Sequence, residues 1–447
     1  MGTPALAATS NAGLAADIDR LSAEVAQLEG ARAVKKLQRA FGYYADRGLW
    51  QEVSDLFVDD GSIEFGADGV YVGKARIREY LKRVGGQDGL RYGQLNEYVT
   101  LQPVVTVAAD GRSARARWRD LGMLGDFQKD AYWRDGIYEN EYVLDGGTWK
   151  IRSVHLYINF VAPYEGGWSR MKEAAADWRS PVAKAFPADR PPTRTYRPFP
   201  EAQLPPFHYV NPVTGKGSPV LAVAASTQGR SGVDLKLGEL RNRVGLLKDQ
   251  EAIENLQAAY GFYFDKMLWG EVSDLFTTGG TFEYGQRGVY VGKERIRKAL
   301  LLFGAEGPEA GKLNNHMQLQ PVVHVASDGR SAKARWRGMV QLARPHASGQ
   351  WGEGVYENEY VKEGGIWKIS RLHFYITAFV DYDLGFAKSA NPAEGPSALF
   401  PPDRPPTEIY RSFPGVYIPP FHYPHPVTGK PITFPQPVDS VLGRKLP

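Results

Sequence analysis

The run FGYYADRGLWQEVSDLF (Phe41 to Phe57) recurs as YGFYFDKMLWGEVSDLF (Tyr260 to Phe276). GVYVGKARIREYL from Gly69 returns as GVYVGKERIRKAL from Gly288, and GIYENEYV from Gly136 as GVYENEYV from Gly354. LQPVVTVAADGRSARARWR from Leu101 returns as LQPVVHVASDGRSAKARWR from Leu319. Even the tails repeat, FPADRPPTRTYRPFP from Phe186 against FPPDRPPTEIYRSFP from Phe400, each followed by PPFHY and PVTGK. The chain is therefore one unit written twice. The repeat is far longer than the roughly 50 residues of solenoid arrays, so each copy is a domain. The reading divides the chain into a flexible start (1–13), copy 1 with its tail (14–217), a Ser/Ala/Gly-rich linker (218–232) and copy 2 with its tail (233–447).

Within each copy the apolar period changes once. Leu14, Ile18, Leu21, Val25 and Leu28 step by four and three, as do Val233, Leu237, Leu240, Val244 and Leu247, which predicts helices able to pair within the chain or to lie on their own domain. Helical spacing continues from Ala31 through Tyr44, and a short helix is expected over Trp50 to Phe57. Ser62 to Phe65 alternates like a strand, and Lys74 to Val84 is helical. Val99 to Ala108, Ala114 to Leu124, Gly136 to Leu144 and Thr148 to Phe160 then form a meander, with Asp110-Gly111 and Gly146-Gly147 as hairpin turns. Segregated helices and strands predict the α+β class: two tandem cone-shaped α+β barrels, each a curved antiparallel sheet around its N-terminal helices, forming a pseudo-dimer by internal duplication.

Several function classes drop out. Net charge is +4 with no one-sign block, so the clustered basic footprint of a nucleic-acid binder is missing. No cysteine is present, which removes disulfides, thiolate metal sites and cysteine nucleophiles. HxH, HExxH, GxGxxG, Walker and GxSxG patterns are all lacking, so neither metal nor cofactor is expected. No stretch approaches the ~20 apolar residues of a membrane span. Ala5-Leu6-Ala7 before Ala8 has the form of a signal-peptidase site without a preceding basic or apolar region. It gives a periplasmic expectation, with a cytoplasmic alternative.

Polar residues on an inward face are costly unless paired or used. Tyr44 and Asp46 end the first long helix, matched by Tyr263 and Asp265. In the last strand, Ser153, His155, Tyr157 and Asn159 share a face, as do Arg371, His373, Tyr375 and Thr377. The opposite face is apolar, so the polar one must meet solvent or a wet pocket. Asn140 and Asn358 alternate with glutamates in YENEY and are candidate pocket amides. Glu64 and Glu283 are expected in solvent. The stiff Pro-rich tails, with His208 and His422, are expected to latch over the neighbouring copy. One difference between the copies stands out: Tyr98 in copy 1 is His316 in copy 2.

The helical start, the YYxDxGxW-x-EVxDLF run, the GVYVGKxxIRxxL run and the closing WKI…H strand resemble the SnoaL-like branch of the nuclear transport factor 2-like superfamily. Its relatives include scytalone dehydratase, steroid Δ-isomerase and the polyketide cyclases. The tails, roughly 180–217 and 395–435, fall outside the resemblance. In scytalone dehydratase a helix aspartate, two strand histidines and tyrosines surround the substrate. The resemblance therefore implies an acid–base set of Asp265, His316, His373 and Tyr263 in copy 2. Copy 1 offers Asp46, Tyr98, His155 and Tyr44 and departs at one histidine. On strand alternation and the copy difference, Tyr98, Tyr157, Tyr375, Asn140 and Asn358 are the expected substrate contacts. The expected activity is a cofactor-independent lyase, dehydratase or isomerase acting on a small apolar aromatic compound, with lignin-derived diaryls and formaldehyde release as one form. The alternatives are a non-catalytic binder of hydrophobic ligands and a structural pseudo-dimer that assembles into a further homo-oligomer.

Overall fold

The computed structural model describes residues 11–171, 177–210, 214, 216 and 233–434. The expected signal-peptidase site and the 218–232 linker lie outside the described residues. Copy 1 opens with helix α1 (Asn11–Asp46), whose Val34, Leu37 and Phe41 recur at helical spacing and are buried. The helix stops at Gly48, where φ is 63°, a left-handed conformation that glycine adopts without steric cost. There follow α2 (Trp50–Asp55), β1 (Phe57–Phe65), β2 (Val70–Val72), α3 (Lys74–Gly85), β3 (Gln94–Val107), β4 (Ser113–Asp126), β5 (Asp130–Asp145), β6 (Thr148–Pro163) and, in the tail, α4 (Pro181–Ala185). Copy 2 repeats the order as α5 (Val233–Asp265), α6 (Trp269–Asp274), β7 (Phe276–Tyr284), β8 (Val289–Val291), α7 (Lys293–Leu300), β9 (Leu313–Val325), β10 (Ser331–Arg344), β11 (Ser348–Glu363), β12 (Ile366–Asp381) and α8 (Gly385–Lys388). The heptad stretches run on without a break into the helical segments after them.

Each copy builds one six-stranded sheet, in the orders β2-β1-β6-β5-β4-β3 and β8-β7-β12-β11-β10-β9. The α+β tandem architecture is as expected, with two refinements. The sheets are mixed, because β1 runs parallel to β6 and β7 to β12. They also stay open instead of closing into barrels. Pro103 and Pro321 cannot donate to a ladder, and the register shifts beside each. Gln102 and Gln320, just before them, take φ of 49° and 51°.

The concave face of each sheet holds its own core. Leu372, Phe374 and Ile376 of β12 point there with Tyr260 and Phe264 of α5. The register shift near Thr377 turns Ala378 and Val380 the other way. These join Met339, with Met317 and Leu319 alongside, against Leu95, Val99 and Met123 of copy 1. The two sheets thus pack back to back through their convex faces. Beside them α1 and α5 run in the same direction, with Ile18 and Val25 against Leu240 and with Lys236–Asp19 and Arg243–Glu29 pairs along the seam. Leu14, Leu21 and Leu28 remain exposed, so only part of each heptad stripe is used. The tail of copy 2 crosses over. Ile418 and Tyr423 complete the core of copy 1, and His425 Nε2 lies 2.9 Å from the Glu52 carbonyl. Among the described residues no helix is long and apolar enough to cross a membrane.

At the centre of the interface sits a buried charge cluster. Arg337 donates from Nη1 to Glu353 Oε1 (2.6 Å) and to Glu97, from Nη2 to Asp46, and from Nε to Gln320 Oε1 (2.5 Å). Arg47 donates to Glu97 Oε1 (2.6 Å) and Thr377 Oγ1 (2.9 Å). Three carboxyls thus face two guanidiniums away from water. Burial, foremost, raises the Asp46 and Glu353 carboxyls above the ordinary carboxylate range.

Replacing Arg337 by Met leaves buried carboxylates without their cation and should cost about 3–5 kcal/mol in urea denaturation. Arg119→Met, at the half-exposed counterpart position, should cost about 1 kcal/mol or less. Equal losses would refute the assigned asymmetry. A carboxyl with a raised folded pKa binds more protons when folded, so it withdraws stability as pH climbs above the unfolded value of roughly 4. Glu353→Gln should therefore flatten that decline and stabilise the protein at pH 8.

Candidate functional site

The concave faces of the two sheets differ in what fills them. In copy 1, Arg134 of β5 crosses the cone and donates to Asp120 of β4 from Nε (2.6 Å) and Nη2 (3.0 Å), with its guanidinium 4.7 Å above the Tyr98 ring. Asp68 accepts the Tyr80 hydroxyl (2.7 Å) and both the amide and hydroxyl of Ser180, which closes the mouth. What remains is a void of about 20 Å³ between Phe41, Phe65 and Tyr98.

Copy 2 lacks the plug. The positions of Asp120 and Arg134 are Gly338 and Gly352, and that of Tyr80 is Ala299. A cavity of about 320 Å³ opens, walled by Tyr284, Phe303, Leu342, Ile376 and Phe379, with His316 in the wall. That is the lower end of small-molecule sites.

His316 sits on β9, where alternation turns Asn314, His316 and Gln318 toward the cone. Phe264 covers the imidazole, with ring centroids 4.4 Å apart, and the residue is 3% exposed. Its amide donates to Asp265 Oδ1 (2.5 Å), and the same oxygen lies 3.7 Å from Nδ1. Nδ1 has no hydrogen-bond partner. Burial pushes the His316 pKa down and Asp265 partly offsets it, so the ring is neutral at pH 7. Burial holds the Tyr284 hydroxyl far above its ordinary pKa, so it stays protonated and can donate. The wall thus joins a neutral base, a carboxylate behind it and a phenol donor.

Other expected site residues lie elsewhere. His373 and Tyr375, with His155 and Tyr157, are on the convex face of the last strand, not in the cone. The cone takes the apolar residues of that strand, and the polar face is wrapped by the chain's own tail. His373 Nδ1 is 3.4 Å from Glu283, which accepts the Thr407 amide (2.7 Å) and hydroxyl (2.9 Å), and Tyr375 stacks on the imidazole at 3.8 Å. His155, Glu64, Thr193 and Tyr157 repeat this arrangement. Burial lowers the histidine pKa values to about 3 for His373 and about 4 for His155. Glu64 and Glu283 are consequently buried, not solvent-exposed as expected. Asn140 and Asn358 do not line the cavity. Their amides are bound to Gln38 and Gln257 and to the backbone amides of His155 and His373.

Tyr44 points away from the cone and packs against Phe421 and His425 of the crossing tail. Tyr263 is half-buried at the edge of the copy-2 core. Asp46 is bound by Arg337 and by the Tyr98 amide (2.7 Å). Of the implied set, the structure brings Asp265 and His316 together at the cavity, while Tyr98 borders the small copy-1 void.

Tyr284, Arg287, Lys312 and Asn314 also line the cavity. The first three were visible as differences between aligned copies, where copy 1 has Phe65, Asp68 and Gln94, while Asn314 matches Asn96.

The family model for the SnoaL-like domain matches residues 26–155 and 246–373, together more than half of the chain. No curated protein matches it. Solved structures with a similar fold include a provisionally assigned scytalone dehydratase from Novosphingobium aromaticivorans, 20% identical over 34% of this chain and 96% of that one (TM-score 0.28). Another is ActVI-ORFA from Streptomyces coelicolor, 17% identical over 30% and 97% (TM-score 0.26). A third is an NTF2-like protein with a cystatin-like fold from N. aromaticivorans, 20% identical over 31% and 89% (TM-score 0.24).

Arg134→Met strands the buried Asp120 carboxylate and should cost about 3–5 kcal/mol. Adding Asp120→Asn should recover part of that loss in a double-mutant cycle. Strictly additive losses would mean that Arg134 is not there to neutralise Asp120.

Proposed function

Because the chain belongs, through both of its halves, to the SnoaL-like domain family, we propose that copy 2 is a cofactor-independent acid–base enzyme of the dehydratase, isomerase or lyase kind. Copy 1 serves as its structural partner. The observation that carries this reading is His316: buried, neutral, backed by Asp265 and set in the wall of the 320 Å³ cavity. The matching copy-1 residue, Tyr98, lies under a salt bridge. An imidazole in this setting takes a proton from a carbon or hydroxyl of the substrate. Asp265 supports the imidazolium that forms, and Tyr284 donates to the oxygen on which charge develops. The proton then returns from His316 to the leaving oxygen in an elimination, or to another carbon in an isomerisation. The apolar and aromatic walls suit a small aromatic substrate, with lignin-derived diaryl compounds among the candidates.

The test is a cofactor-free turnover screen on hydroxylated aryl and diaryl compounds, read by mass. His316→Gln should lower turnover by about a hundredfold or more, while His155→Gln, on the convex face of copy 1, should leave it unchanged. Since His316 is the base, the rate should hold level at neutral pH and fall on the acid side, below the ordinary histidine value of about 6.5. Asp265→Asn removes the group that favours the imidazolium, so the acid limb should move to lower pH. Turnover indifferent to His316→Gln would sink the proposal. Tight binding without turnover would make the cavity a ligand-sequestering site.

A further inference from the structure

The lining of the copy-2 cavity differs from that of copy 1 in charge as well as in size. Asp68 of copy 1 corresponds to Arg287, Gln94 to Lys312 and Asp126 to Arg344, and all three cations line the cavity. One cavity-lining carboxylate, Glu394, answers them, and it is taken by Arg287 at 2.5 Å. Arg344 is held by Glu309 outside the cavity, at 2.8 and 3.0 Å. Lys312 makes no ion pair among the described residues. Its Nζ donates to the Phe303 carbonyl (2.5 Å) and lies 3.3 Å from the Met267 sulfur, contacts that hold the ammonium in place. Glu309, already held by Arg344, also feels the Lys312 charge, so Arg287, Lys312 and Arg344 face two carboxylates, Glu394 and Glu309. The excess positive charge at the rim of an apolar cavity favours an anion, and low-dielectric walls strengthen that preference.

We propose that this cavity selects aromatic carboxylates, with Lys312 as the residue that holds the acid group. The inference rests on the reading of copy 2 as the functional site and adds its substrate class. Lys312 stands immediately before β9 and four residues before His316, a span of roughly 13 Å at the rise of extended chain. A carboxylate at Lys312 therefore puts an elongated aryl or diaryl body across the apolar walls, with its far end toward His316.

The experiment is calorimetric titration of the full chain with biphenyl-4-carboxylate and its neutral isostere biphenyl-4-carboxamide. The acid should bind on the order of tenfold more tightly than the amide. Lys312→Gln should bring the two within about threefold, and His316→Gln should leave the preference intact. In the wild type, raising the salt concentration should weaken the acid and spare the amide, a readout that does not depend on any variant folding. Amide binding as tight as the acid, no detectable acid binding at millimolar concentration, or a preference that survives Lys312→Gln would each overturn the proposal. None of these readouts uses turnover. A preserved preference with turnover indifferent to His316 would sink the acid–base reading alone, and a missing preference with His316-dependent turnover would sink this one alone.

Discussion

A guanidinium without water must find its counter-charges in the protein, and Arg337 finds them mostly in the other copy. Asp46 and Glu97 come from copy 1 and Glu353 from copy 2. The counterpart, Arg119, stays half-exposed and takes Asp135 of its own sheet instead. That inequality is one of the breaks in the symmetry of the duplication. It ties the Asp46 carboxylate into the interface and leaves Asp265, identical in sequence and in place on its helix, facing an imidazole. Even the neighbours agree: Arg47 and Glu97 of the cluster are Lys266 and Asn315 in copy 2, so no second cluster can form there.

The same division runs through the two cones. Copy 1 fills its cone with an Arg–Asp pair, a tyrosine and a tail segment, all hydrogen-bonded, so the interior is rigid and nearly void-free. Copy 2 keeps glycines where the pair would be and holds its cavity open with aromatic rings packed on one another, Tyr284 against Phe303 and Phe374. Open cavities forgo dispersion contacts and weaken a domain. Joining such a domain to a filled twin through a broad back-to-back interface offsets that loss without closing the cavity.

Much of this was legible before the structure. The repeat, the element order and the helix-to-strand change all follow from periodicity, because local spacing is what amphipathic elements encode. The Tyr98/His316 difference pointed to the copy whose cone holds the larger cavity. The last strand misled for a physical reason: alternation says which residues share a face but not which face is concave. His155 and His373 share the polar face, and the tail supplies the cover that a pocket seemed needed to provide. Asp46 and Asp265 were indistinguishable because their fates depend on an arginine nearly three hundred positions away from Asp46 in one case, and on its absence in the other. The plug at Arg134 and the cations at Arg287 and Lys312 could have been found by comparing the copies position by position for charge, a signal that motif spacing does not carry.

The crossing tail bears on the order in which the molecule can assemble. Ile418, Phe421 and Tyr423 belong to the core of copy 1, yet they are synthesised after the whole sheet of copy 2. As the chain leaves the ribosome, the first domain has its helices and sheet but not its last wall. It stays an incomplete shell, with Tyr44 and its neighbours uncovered, until the second domain has emerged. Folding of the two halves is thereby made interdependent in time as well as in space. The first half to be made is the last to be finished.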